Sequence, residues 1–226
     1  MRSLSIALTL LMASVTGNAA EVLRLKAGVP EGLPGYTMGA DGSLIIESPY
    51  KRSVFQCIQE ALNARFVWEA YPTNRVVQMV MAGTLDMAFP MGFTSERASK
   101  MKQSHPAWAN PDYWLSMRPL DIQDKTLRIA ARLGSPQQVD YVADGYVKVT
   151  GTYTYTELVK SLVQGVADAV IIPQSVYNDM KADWPKETKV TRGRERSSGF
   201  YLNATDPKGL LGPLNRAVDR CSAATK

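Results

Sequence analysis

Histidine and cysteine are scarce in this chain of 226 residues, which contains one histidine and two cysteines. His105 lies in a Ser-His-Pro turn, and its spacing suggests no partner for a catalytic thiol. Protein metal sites are usually built from several histidine, cysteine or carboxylate ligands, so this set is a poor one. We therefore expect no catalytic cysteine, no bound metal and no cofactor.

The net charge is also small, because the chain has 26 lysines and arginines and 21 acidic residues, which gives +5. The densest basic run contains Arg192, Arg194 and Arg196, but Glu195 interrupts it and no aromatic residues alternate with it. This pattern favours a solvated loop over a nucleic-acid surface. We expect no nucleic-acid partner.

Long apolar runs are missing except at the N-terminus, where Leu4 to Val15 follow Met1-Arg2 and precede small and polar residues up to Ala20. A membrane-spanning helix needs about 20 apolar residues, whereas a run of about 12 with these flanks is typical of a secretory signal peptide. The sequence predicts that residues 1–20 are a signal peptide cleaved near Ala19 or Ala20. The protein is then expected in the periplasm in soluble form.

Export bears on the two cysteines, Cys57 and Cys221, because disulfides persist outside the reducing cytosol. A disulfide between them is one interpretation. The other is a pair of buried thiols that act as small hydrophobic side chains. Only their proximity in the fold decides between the two.

A weak internal repeat indicates the architecture. Residues 76–89 read VVQMVMAGTLDMAF and residues 158–171 read LVKSLVQGVADAVI, so that Gly83 aligns with Gly165 and Asp86 with Asp168. Each segment predicts a helix, a glycine that ends it in the left-handed conformation, and a buried strand. Two such units predict two similar α/β lobes.

The flanking segments extend each unit into a parallel strand-helix-strand crossover. Extended stretches precede the two helices at 66–71 and 146–150, and a last helix from Gly209 to about Cys221 is expected to pack on the first lobe. The chain then crosses between lobes twice, which predicts a two-strand hinge and a ligand cleft. We predict an α/β fold of two lobes, each a mixed sheet flanked by helices, with lobe 1 formed by 21–118 plus 198–226 and lobe 2 by 119–197.

The order of these signals resembles bacterial extracellular solute-binding protein family 3, the amino-acid-binding components of ABC transporters with the type II periplasmic binding fold. The resemblance covers essentially the whole exported chain. It depends on RVVQMVMAGTLD at 75–86, GFTSER at 92–97, SHP at 104–106, Gly134-Ser135 and GVAD at 165–168. It implies a monomeric, non-enzymatic protein that captures a small carboxylate-bearing ligand, an amino acid or a related compound, for the membrane permease of an ABC importer.

Relatives of this kind hold the ligand carboxylate with an arginine that follows a Thr-x-x-Arg turn, here Thr94 to Arg97. A guanidinium offers two parallel donors to a carboxylate, so Arg97 is the first candidate. A surface arginine that caps this turn is the alternative. The resemblance also implies that Gly134 and Ser135 meet the carboxylate from the second lobe at a helix N-terminus, unless Ser135 is an ordinary N-cap.

Four further candidates carry weaker signals. Tyr36 is either an aromatic contact of the ligand or a surface residue, and Arg75 either meets a second acidic group or braces the hinge. Gly92 stands where relatives often have a hydroxyl. Pro173 and Gln174 stand where many amino-acid binders have an acid for the ligand ammonium, although the Gln174 amide could still contact a ligand. A different carboxylate, a modified amino acid or a short peptide therefore stays open.

Two other functions remain open at this stage. The same closing cleft serves a ligand-sensing module for a membrane receptor. A dehydratase-like enzyme on this fold would require a carboxylate desolvated in the cleft, for which Glu96 and Asp112 are the candidates. Asp86 and Asp168 occupy equivalent repeat positions, which indicates a structural role.

Overall fold

The computed structural model describes residues 22–223. The predicted signal peptide and its cleavage site lie outside the described residues. Within residues 22–223, no helix combines the length and the apolar character needed to cross a membrane.

The described chain alternates strands and helices. Its strands are β1 (Leu23–Pro30), β2 (Tyr36–Met38), β3 (Leu44–Ile46), β4 (Ala64–Tyr71), β5 (Met87–Gly92), β6 (Lys102–Gln103), β7 (Trp108–Ser116), β8 (Arg128–Arg132), β9 (Lys148–Thr152), β10 (Ala169–Pro173) and β11 (Lys189–Leu202). Its helices are α1 (Pro49–Ala61), α2 (Thr73–Met81), α3 (Ser95–Ala98), α4 (Pro136–Ala143), α5 (Tyr155–Val163), α6 (Gln174–Asp179) and α7 (Leu211–Ala223), with a 3-10 turn at Lys181–Asp183.

One mixed sheet contains both halves of the molecule, in the order β4-β1-β5-β11-β7-β10-β8-β9, and β6 pairs with β11. The first three strands run parallel to one another, and so do the last three. Helices α1, α2 and α7 pack with the first trio and α4, α5 and α6 with the second. We call these halves the first and second lobes. The boundaries at residues 119 and 197 stay a prediction.

Two antiparallel strands, β7 and β11, form the centre of the sheet and join the lobes. The sequence prediction of a solvated loop at the basic run is wrong here. β11 is continuous from Lys189 to Leu202, and its register shifts between Arg192 and Glu195. The segment stays a strand because β7 provides backbone partners on both sides of this bulge.

The internal repeat is confirmed in three dimensions. Gly83 and Gly165 follow α2 and α5 with φ angles of 72° and 66°, the left-handed conformation that glycine adopts without strain. The Asp86 carboxylate accepts the Lys26 backbone N–H at 2.8 Å, and the Asp168 carboxylate accepts the Arg128 backbone N–H at 2.9 Å. Both aspartates therefore bind the first strand of their own lobe, which is the structural role expected of them.

The first lobe has an aromatic core between its sheet and helices. Phe89 of β5 stacks on Phe200 of β11 with ring centroids 4.1 Å apart and lies 5.3 Å from Phe55 of α1. Helix α7 packs on α1, and a disulfide joins Cys57 to Cys221 with their Cα atoms 5.7 Å apart. The last helix is thereby covalently attached to the core that buries its apolar face.

Candidate functional site: the cleft between the lobes

The carboxyl ends of four parallel strands meet between the lobes. Pro30 of β1, Gly92 of β5, Arg132 of β8 and Pro173 of β10 all line a cavity of about 100 Å³. In open α/β sheets, ligands bind beyond the carboxyl ends of the strands, where loops and helix N-termini supply polar groups. This cavity is therefore the candidate ligand site.

Arg97 reaches the cavity from the first lobe, although α3 is only one turn long. Its backbone N–H donates to the Thr94 hydroxyl at 3.1 Å, which caps the turn and fixes the backbone of the arginine. Arg97 as a whole is 7% exposed. It donates through Nη1 to the Gly92 carbonyl at 2.8 Å and through Nη2 to the Gly134 carbonyl of the second lobe. Arg97 is thus a buried interlobe group and not a surface arginine.

Gly92 is required by the close approach of the two lobes. A Cβ atom at this position would lie 2.5 Å from Cγ of Pro136, the first residue of α4 in the second lobe. The proline ring is rigid, so a side chain there would force the lobes apart. This packing explains why the chain has no hydroxyl residue at position 92.

The N-terminus of α4 faces the first lobe. Ser135 caps the helix, since its hydroxyl accepts the Gln138 backbone N–H at 3.2 Å, and Ser135 also lines the cavity. Gly134 has a φ of 71° and presents its carbonyl to Arg97. Its own N–H donates to the Gln138 side chain at 2.6 Å. Ser135 is therefore an N-cap residue that lies at the cleft, and its contact with a ligand stays a prediction.

Two basic residues that the sequence analysis did not identify also line the cavity. Arg132, the last residue of β8, is 7% exposed, donates to the Glu31 carbonyl of the first lobe and lies 5.2 Å from the Tyr155 ring. Lys51 lies in the first turn of α1 with its Nζ 5.6 Å from the ring of Tyr36. Their positions at a strand end and a helix start were the signals that could have identified them.

Arg196 was expected in a solvated loop, and that prediction is wrong. It lies in β11, is 9% exposed and lines the cavity. Its Nε donates to the Asp112 carboxylate at 2.7 Å, and its Nη1 donates to Asp140 of α4. Asp112 is fully buried and also accepts from Gln137 at 2.8 Å. Arg196 stays buried because these two carboxylates neutralise its charge.

The remaining sequence candidates lie beside the cavity. Tyr36 is half-buried and lines it, whereas Thr94 acts on Arg97 from behind. Arg75 is exposed at a wider outer opening, with its guanidinium 4.7 Å from the Tyr71 ring. The Gln174 amide donates to the Tyr113 hydroxyl, while its neighbours in sequence line the cavity. Ligand contacts by these residues, and by Arg97, Gly134 and Ser135, stay predictions.

Burial sets the protonation equilibria of the site. Desolvation lowers the pKa of Arg97 and also that of Lys51, whose interaction with Asp179 acts in the opposite direction. Desolvation raises the pKa of Tyr36, and Asp179 adds to the effect. It also raises the pKa of the Asp112 carboxyl, against the influence of Arg196. An anionic ligand would oppose the loss of charge on Arg97 and Lys51.

Among residues 22–223, no group of three or more histidine, cysteine or carboxylate side chains is placed to hold a metal ion. His105 pairs with Asp219 of α7 at 2.8 Å in an exposed contact.

The parallel trios, the two connecting strands and the interlobe cleft define the type II periplasmic-binding-protein fold. Comparisons of the sequence with protein-family profiles and with curated proteins find no match. Solved structures do match, at low sequence identity and over most of both chains.

Three of the matching structures are two ligand-binding proteins and one sensor domain. The arginine-, lysine-, histidine-binding protein ArtJ of Geobacillus stearothermophilus is 14% identical, with a TM-score of 0.73 over 89% of this chain and 90% of that one. A substrate-binding protein of an ABC uptake transporter from Streptococcus pneumoniae, with bound histidine, is 16% identical, with a TM-score of 0.72 over 87% and 86%. A histidine kinase sensor domain is 12% identical, with a TM-score of 0.75 over 89% and 92%. At these identities the likeness shows the fold alone.

Proposed function

We propose that this protein is a periplasmic solute-binding protein that closes around a small carboxylate-bearing ligand and presents it to the permease of an ABC importer. The observation that carries the proposal is Arg97, a buried guanidinium at the cavity wall whose hydrogen bonds reach carbonyls of both lobes. Among the described residues, Arg97 forms no ion pair with a carboxylate.

A buried guanidinium without a counter-ion is costly, and a ligand carboxylate would offset that cost. The two carbonyl contacts use one N–H each from Nη1 and Nη2, so the group retains donors for a ligand. The Ser135 hydroxyl at the start of α4 lines the cavity and offers a complementary contact from the second lobe. A carboxylate held between them would receive donors from both lobes.

Closure follows from contacts that exist only when the lobes are together. Arg97 donates to Gly134 across the cleft, and Arg132 donates to Glu31 in the reverse direction. A ligand that binds both lobes stabilises this arrangement over an open one by its difference in affinity for the two. The strands β7 and β11 are the expected hinge because they connect the lobes. A permease would then distinguish the closed form from the open one.

Binding without chemistry is supported by the composition of the cavity wall. Within the described part of the chain, the lining contains no aspartate, glutamate, histidine or cysteine. Glu96 pairs with Lys100 in an exposed contact, and Asp112 is fully buried behind Arg196. A dehydratase-like reaction would need one of these carboxylates at the ligand. The two transporter proteins compared above are also binding proteins by their descriptions.

A sensing module for a membrane receptor is the second candidate function. Its support is the similarity to a histidine kinase sensor domain, which is a likeness of fold. Both functions use the same closing cleft, so the ligand measurements below apply to either.

The proposal is tested by thermal unfolding of residues 21–226 with a panel of amino acids, short peptides and organic acids. A ligand at 100 times its Kd stabilises the folded state by about 2.7 kcal/mol, so true ligands raise the melting temperature clearly. We expect selective shifts by carboxylates that disappear in Arg97→Ala and persist in Arg65→Gln, a charge change at an exposed position of β4. The ligand should be recovered unchanged after long incubation. Consumption of the compound would establish an enzyme, and a panel without a single carboxylate hit would overturn the proposal.

A further inference from the structure

We propose that the ligand of this cleft is a small organic dianion without an amino group, such as a short dicarboxylate. The inference rests on the proposed binding function and narrows its ligand class. It departs from the zwitterionic amino acids bound by structurally similar proteins.

Three basic side chains line the cavity, and acids act on two of them only from beyond ion-pair distance, Asp179 on Lys51 and Glu96 and Asp140 on Arg97. Lys51 comes from α1, Arg97 from α3 and Arg132 from the end of β8, and all three line the cavity. No ion pair joins any of them to a carboxylate within residues 22–223. Both arginines are 7% exposed. Arg97 donates to two backbone carbonyls, and Arg132 donates to one backbone carbonyl and interacts with the neutral side chain of Tyr155. One carboxylate would neutralise only part of this charge.

Arg196 adds an unused donor at the same wall. Its Nε and Nη1 are bonded to Asp112 and Asp140, but its buried Nη2 has no hydrogen-bond partner within the described chain. A buried donor without a partner costs more than a typical hydrogen bond gains. A second anionic group of the ligand at this wall would satisfy that nitrogen.

A ligand ammonium would find no matching acid. Four acids interact with the cations of the cavity wall, namely Glu96, Asp112, Asp140 and Asp179; Glu96 is paired with Lys100 and Asp140 with Arg196. Asp112 is fully buried, and its oxygens accept from Arg196, Gln137 and Tyr141. Asp179 is exposed at the end of α6, where it acts on Lys51 and does not line the cavity. An ammonium group would instead meet the three cations, and like charges in a buried site repel one another strongly.

The arrangement of the cations favours two anionic ends on a short apolar linker. Arg97 belongs to the first lobe and Arg132 to the second, so each can hold one end. Apolar side chains of Leu33, Met91 and Val176 line the wall as well. A cavity of about 100 Å³ limits the linker to a few carbon atoms.

The test compares ligands that differ by a single group, with affinities measured by titration calorimetry on residues 21–226. Glutarate is paired with glutamate and succinate with aspartate, which isolates the ammonium group, while butyrate lacks the second carboxylate. We expect the better dicarboxylate to bind about 10- to 100-fold more tightly than its amino counterpart and than butyrate, the range for one charge-assisted hydrogen bond. Sodium sulfate tests whether any dianion suffices, and binding as tight as that of the dicarboxylate would overturn the assignment to an organic ligand.

The Arg132→Gln variant measures how much the ligand end held by Arg132 contributes to binding, apart from the end held by Arg97. It should reduce dicarboxylate affinity by about 10-fold or more and leave the weak affinity for butyrate nearly unchanged, because Arg97 still holds one carboxylate. Lys51→Gln provides a second variant if Arg132→Gln does not fold, and Arg65→Gln is the matched charge control. Tighter binding of glutamate than of glutarate, or of aspartate than of succinate, overturns this inference and leaves the proposed binding function intact. Absence of any carboxylate binding overturns both.

Discussion

The buried ion pair between Asp112 and Arg196 gives the sharpest prediction about stability. Asp112 is fully buried in β7, and its carboxylate accepts the Nε–H of Arg196 at 2.7 Å. Replacement by leucine removes the carboxylate and leaves Arg196 in the same buried place. Loss of one partner of a buried pair costs about 3–5 kcal/mol, because the other charge stays desolvated. Asp140 still contacts the arginine, so we expect about 3 kcal/mol for Asp112→Leu.

The measurement is urea unfolding of the ligand-free protein, followed by tryptophan fluorescence and far-ultraviolet circular dichroism. With an m value of about 2 kcal/mol per molar urea, a loss of about 3 kcal/mol lowers the midpoint by about 1.5 M. The double variant with Arg196→Met should recover most of this loss, since replacement of a whole buried pair by apolar side chains is often neutral. The exposed pair of Glu96 and Lys100 is the control, and Glu96→Gln should cost at most about 0.5 kcal/mol.

Two results would refute this reasoning. A cost of Asp112→Leu no larger than that of Glu96→Gln would mean that Arg196 reaches solvent without Asp112. Additive costs in the double variant would mean that the two residues do not interact energetically.

Three other predictions concern closure, cross-linking and pH. Gly92→Ala should weaken ligand binding by about 10-fold or more without a comparable loss of stability, because the added methyl group would collide with Pro136 of the second lobe. Calorimetry measures the affinity and urea unfolding the stability. An unchanged affinity would mean that this close contact between the lobes is not needed for binding. The paired change Cys57→Ala with Cys221→Ala opens a cross-link across a separation of 164 residues and should lower stability by about 3–5 kcal/mol in urea, whereas a cost below about 1 kcal/mol would contradict it. Arg128 lowers the pKa of Asp168 from 3.8 to about 2, so the stability that the ionised carboxylate gives to the fold is complete above about pH 4 and is lost as the pH falls towards 2. Asp168→Asn should cost about 1–2 kcal/mol at pH 7 and remove this acid sensitivity of unfolding. A variant whose stability has an unchanged pH profile would refute the stabilising role of Asp168.

Local signals in the sequence were sufficient for the elements and the repeat. Ser48, Ser135 and Thr154 cap the helices that follow them, and such caps can be recognised in the sequence because capping depends on residues only three positions apart. Gly83 and Gly165 end helices for an equally local reason, their freedom to adopt positive φ.

The family resemblance predicted only some of the residues that line the cavity. It directed attention to Arg97, Ser135, Tyr36 and Gly92, all of which line the cavity, and it missed Lys51. It gave no reason for the glycine at 92, because that reason is the Pro136 ring, which is distant in sequence and belongs to the other lobe.

The sequence by itself determined the alternation of helices and strands, the duplication into two α/β units and the turn that presents Arg97. Only the tertiary structure decided that Cys57 meets Cys221, that Arg196 is buried against Asp112, and that Arg132 faces the same cavity. Capping and periodicity act over a few residues and can be read along the chain. Which charges meet depends on how two lobes, connected by two long strands, place distant segments side by side.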